Sequence, residues 1–183
     1  MRPPAGVLVT GTERTFGDDE IIVSKTDTRG VITYANDVFC RVSAYDEAEL
    51  VGRPHNVVRH PDMPRCLFKF LWNTLQAGSE MFVVVNNLAK DGANYWVLAH
   101  VTPTFGAGGA IVGYHSNRRA PRRGAIAEVA PLYEALLAEE KRHTSPTQAM
   151  AASMSMLEQA LAARQQSYDE MVWEIVNRAE GEL

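Results

Sequence analysis

Met81-Phe82-Val83-Val84-Val85-Asn86-Asn87-Leu88 is followed by Lys90-Asp91-Gly92, by a second strand-like run from Tyr95 to Thr104, by Gly106-Ala107-Gly108-Gly109, and by a third run from Ala110 to Ser116. Each run is rich in β-branched or aromatic residues, and each gap holds glycine. The stretch therefore predicts an antiparallel meander of three strands. Asn86 and Asn87 interrupt an otherwise apolar strand. Successive side chains of a strand point to opposite faces, so one of the two amides faces inward, where it needs a partner.

Working upstream, Arg65 to Ala77 has helical periodicity, with Leu67, Leu71, Trp72 and Leu75 on one side and Gly78 past the end. Arg53 to Pro64 is irregular and polar, with three prolines, two histidines, two arginines and Asp62. Two short helices are expected before it. Asn36 caps Asp37 to Val42, and Asp46 caps Glu47 to Val51, which Gly52 stops. Ile21 to Thr26, the turn Asp27-Thr28-Arg29-Gly30 and Val31 to Ala35 read as a hairpin. The order is strand, strand, short helices, a longer helix, then three strands. It predicts an α+β fold, with a five-stranded antiparallel sheet and helices on one face. The usual ligand position in such an architecture lies between sheet and helices.

Downstream, a helical extension follows. Ala125 to His143 forms one amphipathic helix, and Thr144-Ser145-Pro146 breaks it, with Ser145 as N-cap and Pro146 at the first helical position. Met150, Met154, Leu157, Leu161, Arg164, Tyr168, Met171 and Ile175 then alternate spacings of four and three over 26 residues. As one helix that seam would be ~39 Å long. It reads either as a contact surface for a second copy or another protein, or as a helix folded back on its own domain. The expected organisation is a mobile or loosely docked, flexible N-terminal arm (1–19), a sensor domain (20–119) and a helical signalling or oligomerisation tail (120–183).

Bulk properties exclude several classes. The chain has 183 residues, a net charge of −4 and 46% hydrophobic residues, which fits a folded domain with an appendage. An acidic balance argues against a nucleic-acid binder. The basic cluster Arg118, Arg119, Arg122 and Arg123 falls where a strand hands over to a helix. It reads as a solvated linker, with a docking patch as the alternative. Cys40 and Cys66 have no pairing motif and read as reduced core residues of a cytoplasmic protein. Metal-ligand spacings, a signal peptide and a membrane-spanning run are all missing from the sequence. So are a nucleophile with a paired base and a glycine-rich phosphate loop, and the chain is expected not to be an enzyme.

Three segments carry a family resemblance. Asp27 through Asp37 resembles the opening of a PAS domain. Pro54-His55-Asn56-Val57-Val58-Arg59-His60-Pro61-Asp62-Met63-Pro64 resembles the hallmark of the aerotaxis-receptor branch, whose PAS domains bind FAD. Lys90-Asp91-Gly92 with Tyr95-Trp96-Val97 is similar to the same branch within the sheet. The resemblance covers residues 20–119, and it departs from the family at two places. Met81-Phe82 stands where a tryptophan is common, and Asn86 where a basic residue is.

The resemblance implies a PAS fold that holds FAD non-covalently and reports redox state or oxygen supply to chemotaxis machinery. Its flavin-site positions here are Asn36, His55, Arg59, His60, Asp62 and Asn87, with Trp72 at a shared aromatic position. Arg59 suits a phosphate through charge-assisted, forked hydrogen bonds. His60 and Asn87 suit the ring's polar edge. Each also has a plain structural reading: loop bracing for Arg59, His60 and Asp62, N-capping for Asn36, core packing for Trp72. The chain is more similar to short soluble PAS proteins that act beside a separate partner, such as a second copy, a chemotaxis receptor or a signalling protein docked on the C-terminal helices. Two other functions stay open. One is a haem-binding gas sensor using His55, His60 or His100. The other is a cofactor-free interaction or dimerisation module, with Met81 and Phe82 filling the interior.

Overall fold

The Asp27 carboxylate accepts the backbone N–H groups of Arg29 (2.8 Å) and Val31 (2.9 Å), which locks the first hairpin turn. Those bonds hold its carboxyl below the usual aspartate range. In the computed structural model, which describes residues 6–180, this turn joins β1 (Ile22–Thr26) to β2 (Ile32–Ala35). Then follow α1 (Asp37–Ser43), α2 (Glu47–Leu50), a 3-10 turn (His55–Val58), α3 (Arg65–Gln76), β3 (Met81–Leu88), β4 (Asn94–Phe105) and β5 (Ile111–Arg119). The C-terminal helices are α4 (Arg123–Lys141), α5 (Pro146–Arg164) and α6 (Tyr168–Glu180).

All five strands form one antiparallel sheet in the order β2-β1-β5-β4-β3. The last strand in sequence is thus the middle one, with β1 on one side and the meander on the other. Gly113 makes that pairing possible. A Cβ there would lie 2.4 Å from the Thr26 carbonyl oxygen, so a side chain has no room. Pro103 lies beyond Val101, the last β4 residue with a β3 partner, where its missing N–H costs that side of the ladder nothing.

The first compact unit comprises Met1–Pro61 and Thr74–Ala120. Ile22, Ile32, Phe39, Val42, Leu50, Val83, Val84 and Val97 are buried in it. Full burial of such side chains contributes about 1.5–3 kcal/mol each. Part of the N-terminal arm is docked here. Thr10 and Arg14 donate backbone bonds to the Gly92 and Asn94 carbonyls, and Asn94 donates to Thr12. Arg14 also pairs with Asp91 and bonds the Val42 carbonyl at 2.8 Å. Residues 1–5 of the arm and 181–183 of the tail lie outside the described residues.

The second unit comprises Asp62–Asn73 and Pro121–Leu183, so most of α3 groups with α4, α5 and α6. The tail is not one long helix. α5 ends at Gln165, whose φ of 55° is left-handed, and Ser167 starts α6, with its hydroxyl accepting from the Glu170 N–H at 3.3 Å and the Glu170 carboxylate accepting from the Ser167 N–H at 2.7 Å. The break folds the expected seam onto its own neighbours. Leu157, Leu161, Tyr168, Met171 and Ile175 are all buried within the single chain. Within this unit these residues pack against the chain's own helices, whereas Met150 and Met154 are half-buried and Arg164 is exposed. The buried Tyr133 and Tyr168 hydroxyls bond each other at 3.0 Å, and Phe70 on α3 tilts against the Tyr168 ring. Among the described residues, no helix is long and apolar enough to cross a membrane.

Candidate functional site

Register fixes which side chains share the inner face of the sheet. β4 places Tyr95, Val97, Ala99 and Val101 on it. Their β3 partners are Asn87, Val85, Val83 and Met81. Across β5, Ser116 and Arg118 oppose Val101 and Ala99, and across β1, Ser24 and Ile22 oppose Ser116 and Arg118. The face is apolar over much of its area and polar where β1, β5 and the near end of β4 present hydroxyls and a guanidinium.

Arg118 is the centre of that polar region. It is only 2% exposed. Its guanidinium lies over the Phe39 ring of α1, 4.6 Å from the centroid, a cation–π arrangement. Nε donates to Ser116 Oγ at 3.0 Å, and Nη2 donates to Ser24 Oγ and approaches His55 Nε2 at 3.1 Å. His55 also meets Ser24 Oγ at 3.1 Å and stacks on Phe39 with centroids 5.8 Å apart. Burial, reinforced by the Arg118 charge, lowers the His55 pKa to about 3 and leaves the ring neutral. Nη1 of Arg118, the Tyr95 hydroxyl and Thr26 Oγ1 are buried without a hydrogen-bond partner.

The sequence-predicted residues divide into groups. His55 joins the Arg118 cluster. Arg59 and Asn87 are brought together by an isolated antiparallel bridge between their backbones. Asn87 is 6% exposed and His60 4% exposed, whereas Arg59 is half-buried. Asn36 is occupied structurally. Its Oδ1 accepts from the N–H groups of Phe39 (3.0 Å) and Val23 (2.9 Å), while Nδ2 donates to the Ile21 carbonyl at 2.8 Å. That ties α1 to β1 and matches the N-cap reading. Asp62, exposed on its loop, and Trp72, half-buried on α3, belong to the second compact unit.

Three expectations change. Arg118 is no part of a solvated linker, because β5 runs on to Arg119 and the alternation that puts Tyr114 and Ser116 inward puts Arg118 inward too. Phe82 does not fill the interior. It points to the opposite face and stacks on His100, with centroids 4.1 Å apart, leaving Met81, 1% exposed, on the inner side. His100 shares the outer face and meets Glu80 at 2.9 Å, which removes it from the inner-face histidines. Both amides of the Asn pair are buried. Asn86 accepts from Asn94 Nδ2 at 3.2 Å on the outer side.

Sequence reasoning missed Arg118, Tyr95, Ser24 and Phe39. Period-two alternation through Tyr114-His115-Ser116-Asn117-Arg118 carried the signal for the arginine. Ser24 and Phe39 carry no pattern of their own and become visible only when the strands pair.

Sheet order and helix placement define a sensory-type α+β module, and a PAS-fold family model matches residues 20–116. The chain belongs to the PAS family. Over 128 residues it is 45% identical to the aerotaxis receptor of Escherichia coli strain K12, covering 70% of this chain and 25% of the receptor. That likeness supports the aerotaxis-receptor branch. The nitrogen fixation regulatory protein of Klebsiella pneumoniae is 31% identical over 99 residues, which is 54% of this chain and 20% of that protein. The chain thus spans a quarter or less of the length of these relatives. Among solved structures, a light-oxygen-voltage domain from work on a flavin analogue superposes with a TM-score of 0.56 at 19% identity, covering 63% of this chain and 88% of its own. The light state of the Aureochrome1 LOV domain gives 0.53 at 22% identity, covering 67% and 91%. At these identities the likeness establishes the fold.

Proposed function

We propose that this chain is an FAD-binding PAS sensor of redox state or oxygen supply, acting in energy-taxis signal transduction. In this reading it is cytoplasmic and relays the state of its flavin to a chemotaxis-type receptor or signalling protein. The observation that carries the reading is the set of buried polar atoms on the inner face that lack partners, Arg118 Nη1 and the Tyr95 hydroxyl. Folded proteins seldom leave such atoms unpaired. A planar ligand with an apolar body and a polar edge would supply acceptors for them. The likeness to the aerotaxis receptor agrees with the branch resemblance, and that resemblance implies a flavin as the ligand.

The residues present fit such a group. Val83, Val85 and Val97 make the inner face apolar, and Asn87 stands beside Tyr95 at its polar end. Arg59, whose backbone is bridged to Asn87, suits the pyrophosphate, and His60 lies one residue further along the same loop. A bound flavin would supply reversible electron uptake. The protein would orient it, and Arg118 and Tyr95 would present hydrogen-bond donors to its edge.

The test is the absorption spectrum of freshly purified protein and of protein incubated with FAD. Twin bands in the near-ultraviolet and the blue are expected. A single intense Soret band would identify a haem sensor instead. Protein that stays colourless with FAD would leave a cofactor-free interaction module, with Met81 filling the inner face.

A further inference from the structure

Arg118 combines deep burial with an unanswered charge. Every partner it has is neutral: two serine hydroxyls, the His55 ring nitrogen and the Phe39 π-face. Among the described residues no carboxylate forms an ion pair with it. Burial lowers its pKa to about 10, which still leaves it protonated at neutral pH. Removing a charge from water is expensive unless an opposite charge meets it, and the cluster contains none. The Tyr95 hydroxyl, also unpartnered, lies within electrostatic reach of Arg118. A buried cation and a buried phenol on one face form a receptor for a negatively charged, oxygen-bearing edge.

We propose that Arg118 is the electrostatic counterpart of the flavin's pyrimidine edge, so that the protein holds the reduced, negatively charged ring more tightly than the oxidised one. The inference rests on the flavin reading above. The redox change concerned is the uptake of two electrons from a soluble electron donor such as dithionite and of one proton from water, which leaves one negative charge on the ring system. A guanidinium without a counter-ion attracts that charge strongly, because few other dipoles screen it at this depth. The oxidised ring offers the same edge as neutral acceptors and gains less. Arg118 thereby sets the reduction potential, and the presence or absence of negative charge at the edge alters the hydrogen bonds that link β5 to β1 through Ser24 and Ser116.

The experiment compares wild type with Arg118→Lys and Arg118→Met in the full chain, titrated with dithionite against a reference dye. In Arg118→Met the affinity ratio for reduced over oxidised FAD is expected to fall about tenfold or more, equivalent to ~30 mV or more for a two-electron couple. Arg118→Lys, which keeps the charge, should retain most of the wild-type potential. The flavin-free proteins give an independent reading. Arg118→Met should unfold at the same temperature as wild type or higher, since it removes an unpaired buried charge. Riboflavin, which has the ring without phosphates, separates ring from pyrophosphate, because its binding should respond to Arg118→Met as FAD binding does.

Wild type that binds flavin with a potential unmoved in Arg118→Met would overturn the inference and leave the flavin reading intact. So would riboflavin binding that ignores the substitution while FAD binding fails, which would assign Arg118 to the pyrophosphate. A large drop in flavin-free stability would make Arg118 a structural staple. Wild type that binds no flavin would overturn both readings together.

Discussion

The carboxylate of Glu140 accepts the backbone N–H of Cys66 at 3.0 Å, although 74 residues separate the two. The same oxygen accepts the Arg65 N–H at 2.6 Å and the Ser153 hydroxyl at 3.2 Å. A side chain from α4 thus caps the start of α3, where the first N–H groups have no intrahelical acceptor and negative charge is favoured. Glu140 is 7% exposed, so these bonds are sheltered from water.

Replacing Glu140 by Ala strands two backbone donors, while the Ser153 hydroxyl keeps the Met150 carbonyl as acceptor. The expected cost is about 1.5–3 kcal/mol, the range for a hydrogen bond to a charged group. Glu140→Gln keeps an acceptor and should cost less. Urea denaturation of the two variants measures the difference, and equal stability of Ala and wild type would remove the cap from the account.

Leu157 is fully buried on α5, within the chain itself. Leu157→Glu therefore places a carboxylate among apolar neighbours and is expected to melt the C-terminal helices, a loss of several kcal/mol. Far-ultraviolet circular dichroism would show the lost helix. A variant that keeps its helix content and changes only its assembly size would return the residue to an intermolecular seam.

His55 makes stability depend on pH. Its folded pKa of about 3 lies below the ordinary 6.5, so the unfolded chain binds a proton that the folded chain refuses. Above pH 6.5 both states are neutral and this residue adds no slope. Between pH 6.5 and about 3 stability should fall as pH falls, by at most about 1.4 kcal/mol per pH unit. His55→Gln should flatten that part of the profile, and thermal unfolding at stepped pH reads it directly.

Gly113 has the Thr26 carbonyl oxygen where a Cβ would go, at 2.4 Å. Gly113→Ala should push β1 away from β5 at a cost of about 1–3 kcal/mol, as overpacking does. The effect should appear as faster hydrogen exchange along the β1–β5 ladder. Unchanged protection would mean that the strands give way without cost.

The meander is legible in the sequence because each run is long enough to show strand composition and each turn contains glycine. The hairpin is equally plain, since Asp27 and Gly30 are turn residues for reasons of local chemistry. The tail misleads for a physical reason. Heptad spacing continues through Arg164 and Tyr168, but the left-handed Gln165 resets the helix and uses the spacing for self-packing. The signal against a continuous helix is Ser167 followed by Glu170, a capping box that marks a new helix start. Arg118 stays hidden among exposed arginines. Its burial depends on how far β5 extends, and strand ends are decided by partners distant in sequence. The same holds for its cluster, whose members come from β1, α1, the 3-10 turn and β5.

The middle position of β5 has a consequence for biosynthesis. The hairpin made first has no neighbour on its open side until the strand ending at Arg119 has been translated. Until then β1 leaves the ribosome with an unsatisfied edge, and a two-stranded ribbon alone is marginal in water. Closure of the sheet is thus a late, long-range event, and a nascent chain halted before β5 would be a substrate for chaperones.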